Sequence, residues 1–276
     1  MAALMASPSW KDKVVLVTGA SQGLGREIAR AFADAGATVV AVARGAETLA
    51  AAATELSQQV AGTVVPLAAD ITSDADVANL FSEVRSRFGR LDVLVNNAGR
   101  SARKEILATA PADFHELMEL NLYALVRCTQ AAAGLLLESR GSVVNIGSLA
   151  SKSAARYLGA YPASKFAVAA YSQQLRLELG PRGLHVLLVC PGPIARDQVR
   201  TYGADERSDL PESAAKPGAG VQTKAIPPEQ LAARIVAAVE RRQPELIVPG
   251  KAKILFVLQA LSARWGDWLV LKKTGG

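Results

Sequence analysis

The chain has 276 residues, half of them hydrophobic, and a formal net charge of +6. That length and apolar share are enough for one substantial core, so a single domain spanning 1–276 is expected. Its basic residues are scattered and flanked by acids, which argues against a nucleic-acid partner, and no uninterrupted apolar run reaches the roughly 18 residues a membrane span requires. Cys128 and Cys190 sit among apolar neighbours and read as two buried thiols in a reducing, cytoplasmic setting rather than a disulfide.

Met1 to Trp10 reads as a loose lead-in without the apolar run of a signal peptide. Val14–Thr18 is then a short apolar strand, followed by a Gly-rich turn and a helical pattern from Arg26 to Ala35. The alternation continues with a strand at Val39–Val42, a helix at Glu47–Gln59, a strand at Thr63–Leu67, a helix at Asp74–Phe88 and a strand at Leu91–Val95. A long helical stretch, Phe114 to Gln130, precedes strand Ser142–Ile146. Strand His185–Val189, helix Pro228–Arg241 and strand Glu245–Val248 complete the series. Short apolar runs alternating with longer helices predict βα units, a mainly parallel seven-stranded sheet and a doubly wound three-layer α/β sandwich. The Gly/Pro/Ser/Asp-rich stretch 198–223 follows a strand's carboxyl end and reads as a substrate-loop flap.

The turn Thr18-Gly19-Ala20-Ser21-Gln22-Gly23-Leu24-Gly25 lies between the first strand and the first helix. Glycines there permit a tight turn and close approach of a pyrophosphate, whose charge the first N–H groups of the helix can meet. Three residues separate Gly19 from Gly23, a wider spacing than in the ordinary dinucleotide fingerprint. The second strand ends in Ala43-Arg44, with no carboxylate to repel a 2′-phosphate and a guanidinium able to bind one. NADP is therefore favoured, with NAD possible and a merely solvated Arg44 as the simpler alternative. Asp70-Ile71 follows the third strand, where the carboxylate could accept from an adenine amino group or cap the next helix. Asn96-Asn97-Ala98-Gly99 closes the fourth strand with small residues near the ribose and amides able to tie loops together.

Tyr161 and Lys165 are one helical turn apart, which puts them on one face. A free tyrosine, with a pKa of about 10, is a poor base at neutral pH; a neighbouring ammonium and a serine hydroxyl favour proton exchange. Ser148 follows a strand through Gly147, facing the crevice where open α/β sheets bind ligands. Neither His115 nor His185 is placed like a triad base, and no His/Cys/Asp cluster has metal-ligand spacing, so no metal is expected. Asn121 lies inside an apolar helix, where packing and a proton route are both open readings.

In this order, Thr-Gly-x-x-x-Gly-x-Gly at 18–25, Asp70, Asn-Asn-Ala-Gly at 96–99, Asn121, Ser148, Tyr-x-x-x-Lys at 161–165 and Pro-Gly at 191–192 resemble the short-chain dehydrogenase/reductase family over about residues 12–250. The resemblance implies a Rossmann fold and a catalytic set of Asn121, Ser148, Tyr161 and Lys165. In that set Tyr161 exchanges the proton, Ser148 positions the substrate oxygen, Lys165 binds the nicotinamide ribose and tunes Tyr161, and Asn121 anchors a water relay. It assigns cofactor contacts to Gly19, Ser21, Gln22, Gly23, Leu24, Gly25, Arg44, Asp70, Ile71, Asn97, Ala98, Gly99, Tyr161, Lys165, Pro191, Gly192 and Ile194. One departure stands out: Arg196 occupies the place where the family often has a carboxamide-binding threonine. The implied activity is NADP(H)-dependent interconversion of a carbonyl and a secondary alcohol in a homodimer or homotetramer. The alternative is a non-catalytic nucleotide-binding or scaffold protein on the same fold.

The rim candidates Lys152, Arg156, Leu158 and Arg100–Lys104 name no substrate. The tail 251–276 is apolar, carries Trp265 and Trp268, and is flanked by lysines. It is expected to pack on its own subunit or across a dimer, with peripheral membrane contact through 251–272 as the alternative. Its pattern resembles membrane-associated family members and favours a hydrophobic carbonyl substrate.

Overall fold

Buried on both faces, the strands of a parallel sheet need apolar side chains at successive positions, and Val14–Thr18 (β1) is buried at every one. In the computed structural model, which describes residues 10–195, 210 and 224–273, β1 pairs in parallel with Thr38–Ala43 (β2) and Val93–Asn96 (β4). Thr63–Ala68 (β3) lies outside β2, and Ser142–Ile146 (β5), His185–Pro191 (β6) and Glu245–Val248 (β7) extend the other side. The seven-stranded order is β3-β2-β1-β4-β5-β6-β7, with every pairing parallel. Strand order reverses between β1 and β4, so a crevice opens outside their carboxyl ends.

Helices cover both faces. Val15 and Val17 point into a core shared with Gly23–Asp34 (α1) and Ala46–Ser57 (α2), while Val14 and Leu16 point into one shared with Asp74–Phe88 (α3). α3 shows how sequence sets these boundaries. Ser73 Oγ accepts from Asp76 N at 3.2 Å, acids occupy the first turn and arginines the last, and Gly89 stops the helix at φ +67°. Pro111–Met118 (α4) leads through a π-helical turn, Glu119–Tyr123, into Ala124–Glu138 (α5). The continuous helix expected over 114–130 is therefore interrupted. By length and composition 111–138 resembles a membrane span, but Leu125, Cys128, Ala132, Leu135 and Leu136 are buried in the core. Tyr161–Leu179 (α6), Pro228–Glu240 (α7), Ala252–Leu261 (α8) and Ala263–Lys273 (α9) complete the helices described.

Trp10 is anchored, contrary to the loose lead-in expected there. Its ring meets Phe32 edge-on at 4.8 Å, and its Nε1 donates to Glu240 Oε1 at 2.8 Å. Cys128 and Cys190 are free and buried, and burial pushes both thiols up to about 12.

At the amino end of the sheet, Asp92 accepts from Val14 N at 2.9 Å, from Arg90 Nε at 2.8 Å and Nη2 at 2.7 Å, and from Lys13 Nζ at 3.3 Å. Burial opposes its ionisation, but these donors outweigh that cost and hold its carboxyl below 3.8. A depressed folded value adds stability above the unfolded pKa and loses it as pH falls through the folded one. Asp92→Asn should therefore cost about 2–3 kcal/mol at neutral pH, with the deficit shrinking below about pH 4; urea midpoints at both pH values test this. Equal deficits at the two values would show that ionisation of Asp92 contributes nothing.

Candidate active site

The loop after β1 and the loop after β4 are tied into one unit. Thr18 Oγ1 accepts from Asn97 N at 3.0 Å and Ala98 N at 3.1 Å, while Asn97 Nδ2 donates to Thr18 O at 2.9 Å. A Cβ at Gly25 would stand 2.1 Å from Gly19 O and 2.4 Å from Asn97 Nδ2, so only glycine lets α1 start there. Gly23 has φ +54° and open space where a side chain would project. Gln22, with extended backbone, gives α1 no side-chain cap, and no acid stands in its first turn. The first N–H groups of α1 thus keep their donors for an anion above Gly23, and these residues fit the pyrophosphate of a dinucleotide.

Arg44, just past β2, is exposed, with its Nη1 3.9 Å from Asp70 Oδ2. Asp70 is held below the ordinary carboxylate range by hydrogen bonds from Thr72 Oγ1 at 2.7 Å and Thr72 N at 3.0 Å, slight burial opposing and Arg44 assisting. The cap of α3 is Ser73, so the capping alternative for Asp70 falls away. Ile71 beside it is buried.

Ser148 leaves β5 through Gly147 and caps the short turn Leu149–Ser151. Its Oγ accepts from Ala150 N at 3.1 Å, and its own N–H donates to Ser151 Oγ at 3.1 Å. The backbone is held from both sides while the hydroxyl proton remains for a partner in the crevice. Tyr161 opens α6 with Pro162 next, where a missing N–H costs little. One turn on, Lys165 Nζ lies 5.9 Å from the Tyr161 ring centre and donates to Ile146 O at 2.7 Å. Burial pushes the Lys165 ammonium down to about 8, so it stays mostly charged at neutral pH.

Asn121 sits in the π-helical turn, a local widening often found at functional sites. Its Oδ1 accepts from Arg100 N at 2.9 Å, and its Nδ2 donates to Arg100 O at 3.0 Å and Ser164 Oγ at 2.9 Å. Ser164 Oγ in turn donates to Tyr161 O at 2.8 Å. A Cβ at Gly99 would lie 2.8 Å from Asn121 Oδ1 and 3.7 Å from Lys165 Nζ. The Asn121 amide therefore fastens the loop after β4 to the start of α6, with both of its N–H donors engaged in doing so. Ser164, fully buried, is a link that sequence reasoning passed over. Its place between Tyr161 and Lys165 was the available clue.

Pro191 ends β6, Gly192 N donates to Val248 O at 2.7 Å, and Ile194 pairs with Ile226. Arg196 and the stretch 198–223 lie outside the described residues. Several rim candidates are engaged structurally: Arg100 with Glu116, Lys104 with Asp113, Lys152 with Glu245, while Leu158 is buried beside Lys104. His185 lies at the opposite edge of the sheet, with Nδ1 3.0 Å from Ser142 Oγ and Nε2 2.8 Å from Gln243 O. Burial lowers its pKa, as suits a neutral structural imidazole.

A family model described as short chain dehydrogenase matches residues 13–207. Dehydrogenase/reductase SDR family member 7B of Danio rerio is 38% identical over 191 residues, covering 67% of this chain and 62% of that protein. The chain thus spans less than two thirds of that relative's length. The crystal structure of a short-chain dehydrogenase from Streptomyces avermitilis superposes with a TM-score of 0.78 at 31% identity, covering 98% of both chains. A metagenomic short-chain oxidoreductase solved in complex with NADP gives 0.70 at 29% identity, covering 87% of this chain and 97% of that one. With the parallel seven-stranded sheet and the ordered motifs, these matches establish that the chain belongs to the short-chain dehydrogenase/reductase family.

Proposed function

We propose that this chain is an NADP(H)-dependent oxidoreductase that interconverts a carbonyl and a secondary alcohol, with a hydrophobic substrate. The observation that carries this reading is Tyr161 beside the buried Lys165, whose Nζ donates to Ile146 O just before Gly147-Ser148 at the carboxyl end of β5, next to a turn that fits a pyrophosphate. A nicotinamide cofactor bound there supplies or accepts the hydride. In reduction Tyr161 gives its phenolic proton to the substrate oxygen, and in oxidation it takes the proton back. Ser148 donates a hydrogen bond to that oxygen and orients it. The Lys165 ammonium, held by Ile146 O, favours negative charge developing on the Tyr161 oxygen. Asn121 and Ser164 keep Tyr161 in register with the loop carrying Gly99. The cofactor contacts assigned above to the turn 19–25, Asp70, Ile71, the loop 97–99 and Pro191, Gly192 and Ile194 belong to this reading, as does a cytoplasmic location.

Arg44 selects NADP by meeting its 2′-phosphate, and the NADP complex of the metagenomic relative supports the choice. Arg44→Ala should weaken NADPH binding roughly tenfold to 100-fold while leaving NADH within about threefold, as read by titration of both. Equal losses for the two cofactors would remove Arg44 from phosphate recognition.

Assembly into a homodimer or homotetramer through α5 and α6 completes the proposal, and exposed Phe166 and Leu177 on α6 support it. Light scattering at low micromolar concentration should report at least a dimer. A fully active monomer would refute this part.

A further inference from the structure

We propose that the hairpin formed by α8 and α9 is a docking surface for an anionic lipid bilayer. The hairpin has two unlike faces. Inward, Ala252 and Phe256 pack against a cluster containing Leu149, Cys190 and Ile247, which roots the hairpin beside the Ser148 turn. Gly266 is buried, and a Cβ there would meet Gln259 at 2.6 Å, so the two helices are pressed together.

Outward, the hairpin presents Ile254 at 65% exposure, Leu261 at 74%, Trp265 at 63% and Trp268 at 58%, with Val257 between them. Ile254, Val257 and Leu261 recur at helical spacing on one side of α8, and Trp265 and Trp268 do the same on α9. With Leu271 at 43% they make six large apolar side chains exposed on one supersecondary unit, the kind of patch that marks an interaction site. Within 251–273 there are five cations, Lys251, Lys253, Arg264, Lys272 and Lys273, against the single carboxylate of Asp267. Lys272 Nζ lies 5.1 Å from the Trp268 ring centre, so cation and indole share one surface.

Length and charge choose the occupant. A ten-residue helix is about 15 Å long, half the hydrocarbon thickness, and Ser262 breaks the run with extended backbone, so neither helix spans a membrane. An amphipathic unit with indoles and a basic flank lies in the interface, its apolar side in the acyl boundary and its cations at anionic headgroups. A second copy of the chain is the poorer fit. A twofold contact sets this patch against itself and brings the cations of each subunit together, with only Asp267 to answer them.

Full-length protein should float with vesicles of phosphatidylcholine and phosphatidylserine, weakly with phosphatidylcholine alone, and less as salt is raised. Trp10 is buried, so a blue shift of tryptophan emission on adding vesicles reports Trp265 and Trp268. The double variant Trp265→Ser/Trp268→Ser should lose flotation, and Lys251→Glu/Lys253→Glu should weaken it at least about tenfold. These positions are exposed, and an unchanged thermal midpoint confirms that each variant is folded. No flotation at low salt, or flotation kept by the tryptophan variant, would overturn the proposal. So would a tryptophan variant that turns a wild-type oligomer into a smaller species, which would assign this face to a second copy.

Discussion

Tyr161→Phe is expected to lower kcat by about 10²–10⁴-fold while leaving the NADPH dissociation constant within a few-fold, because only the proton donor is removed. The ring stays, and with it the packing beside Lys165 and the backbone bond from Ser164. Single-turnover reduction followed at the nicotinamide absorbance separates chemistry from binding. Near-normal turnover would remove Tyr161 from its role. Intact cofactor binding with no hydride exchange in the wild-type chain, across a wide panel of ketones and alcohols, would favour the non-catalytic nucleotide-binding alternative.

Gly25→Ala is expected to raise the NADPH dissociation constant by roughly 100-fold, equivalent to about 2.7 kcal/mol. It should also destabilise the chain by about 1–3 kcal/mol or more, since the added methyl would overlap a backbone oxygen rather than a movable side chain. Gly23→Ala provides the contrast. Its φ of +54° imposes about 1–2 kcal/mol of backbone strain, but the space ahead of it is open, so the cofactor-free protein should tolerate it better. Thermal midpoints without cofactor, compared with titrations, distinguish the two effects. Wild-type binding by Gly25→Ala would show that the turn and the Asn97 loop need not meet closely.

The parallel sheet was legible because strands buried on both faces must be short apolar runs, and Val14–Thr18, Ser142–Ile146 and Glu245–Val248 keep the boundaries read from sequence. The fourth strand is regular only from Val93, later than expected, although Asp92 N still donates to Val14 O and Asp92 O accepts from Ser142 N, both at 2.8 Å. The π-helical turn at Asn121 was hidden, since one extra residue in a turn leaves the apolar pattern almost unchanged. Trp10 was misread because its partners, Phe32 and Glu240, lie far along the chain. Within the site, Tyr161, Lys165 and Ser148 were visible from spacing and strand position. The bond from Asn121 to Ser164, which joins two loops and a helix, is a tertiary relation that no local window contains. In the tail, apolar length was readable, but the division into rooted and exposed faces depended on the pairing at Gly266.

The clasp around Asp92 and the pairing of His185 with Ser142 and Gln243 occupy the amino ends of β1, β4, β5 and β6, while Ser148, Gly99 and the Gly19 turn occupy the opposite rim. Inheritance can act on these two rims separately. Loops at one rim can be lengthened, exchanged or recharged to admit a different molecule, while the other continues to fasten the strands. A lineage carrying this chain therefore has room to change what it acts on without first acquiring a sturdier scaffold, and chimaeras that swap the loop residues beyond Arg100 and beyond Ser151, leaving the Asn97–Thr18 and Arg100–Asn121 bonds in place, should inherit their melting behaviour from the parent that supplied residues 13, 14, 90, 92, 142 and 185.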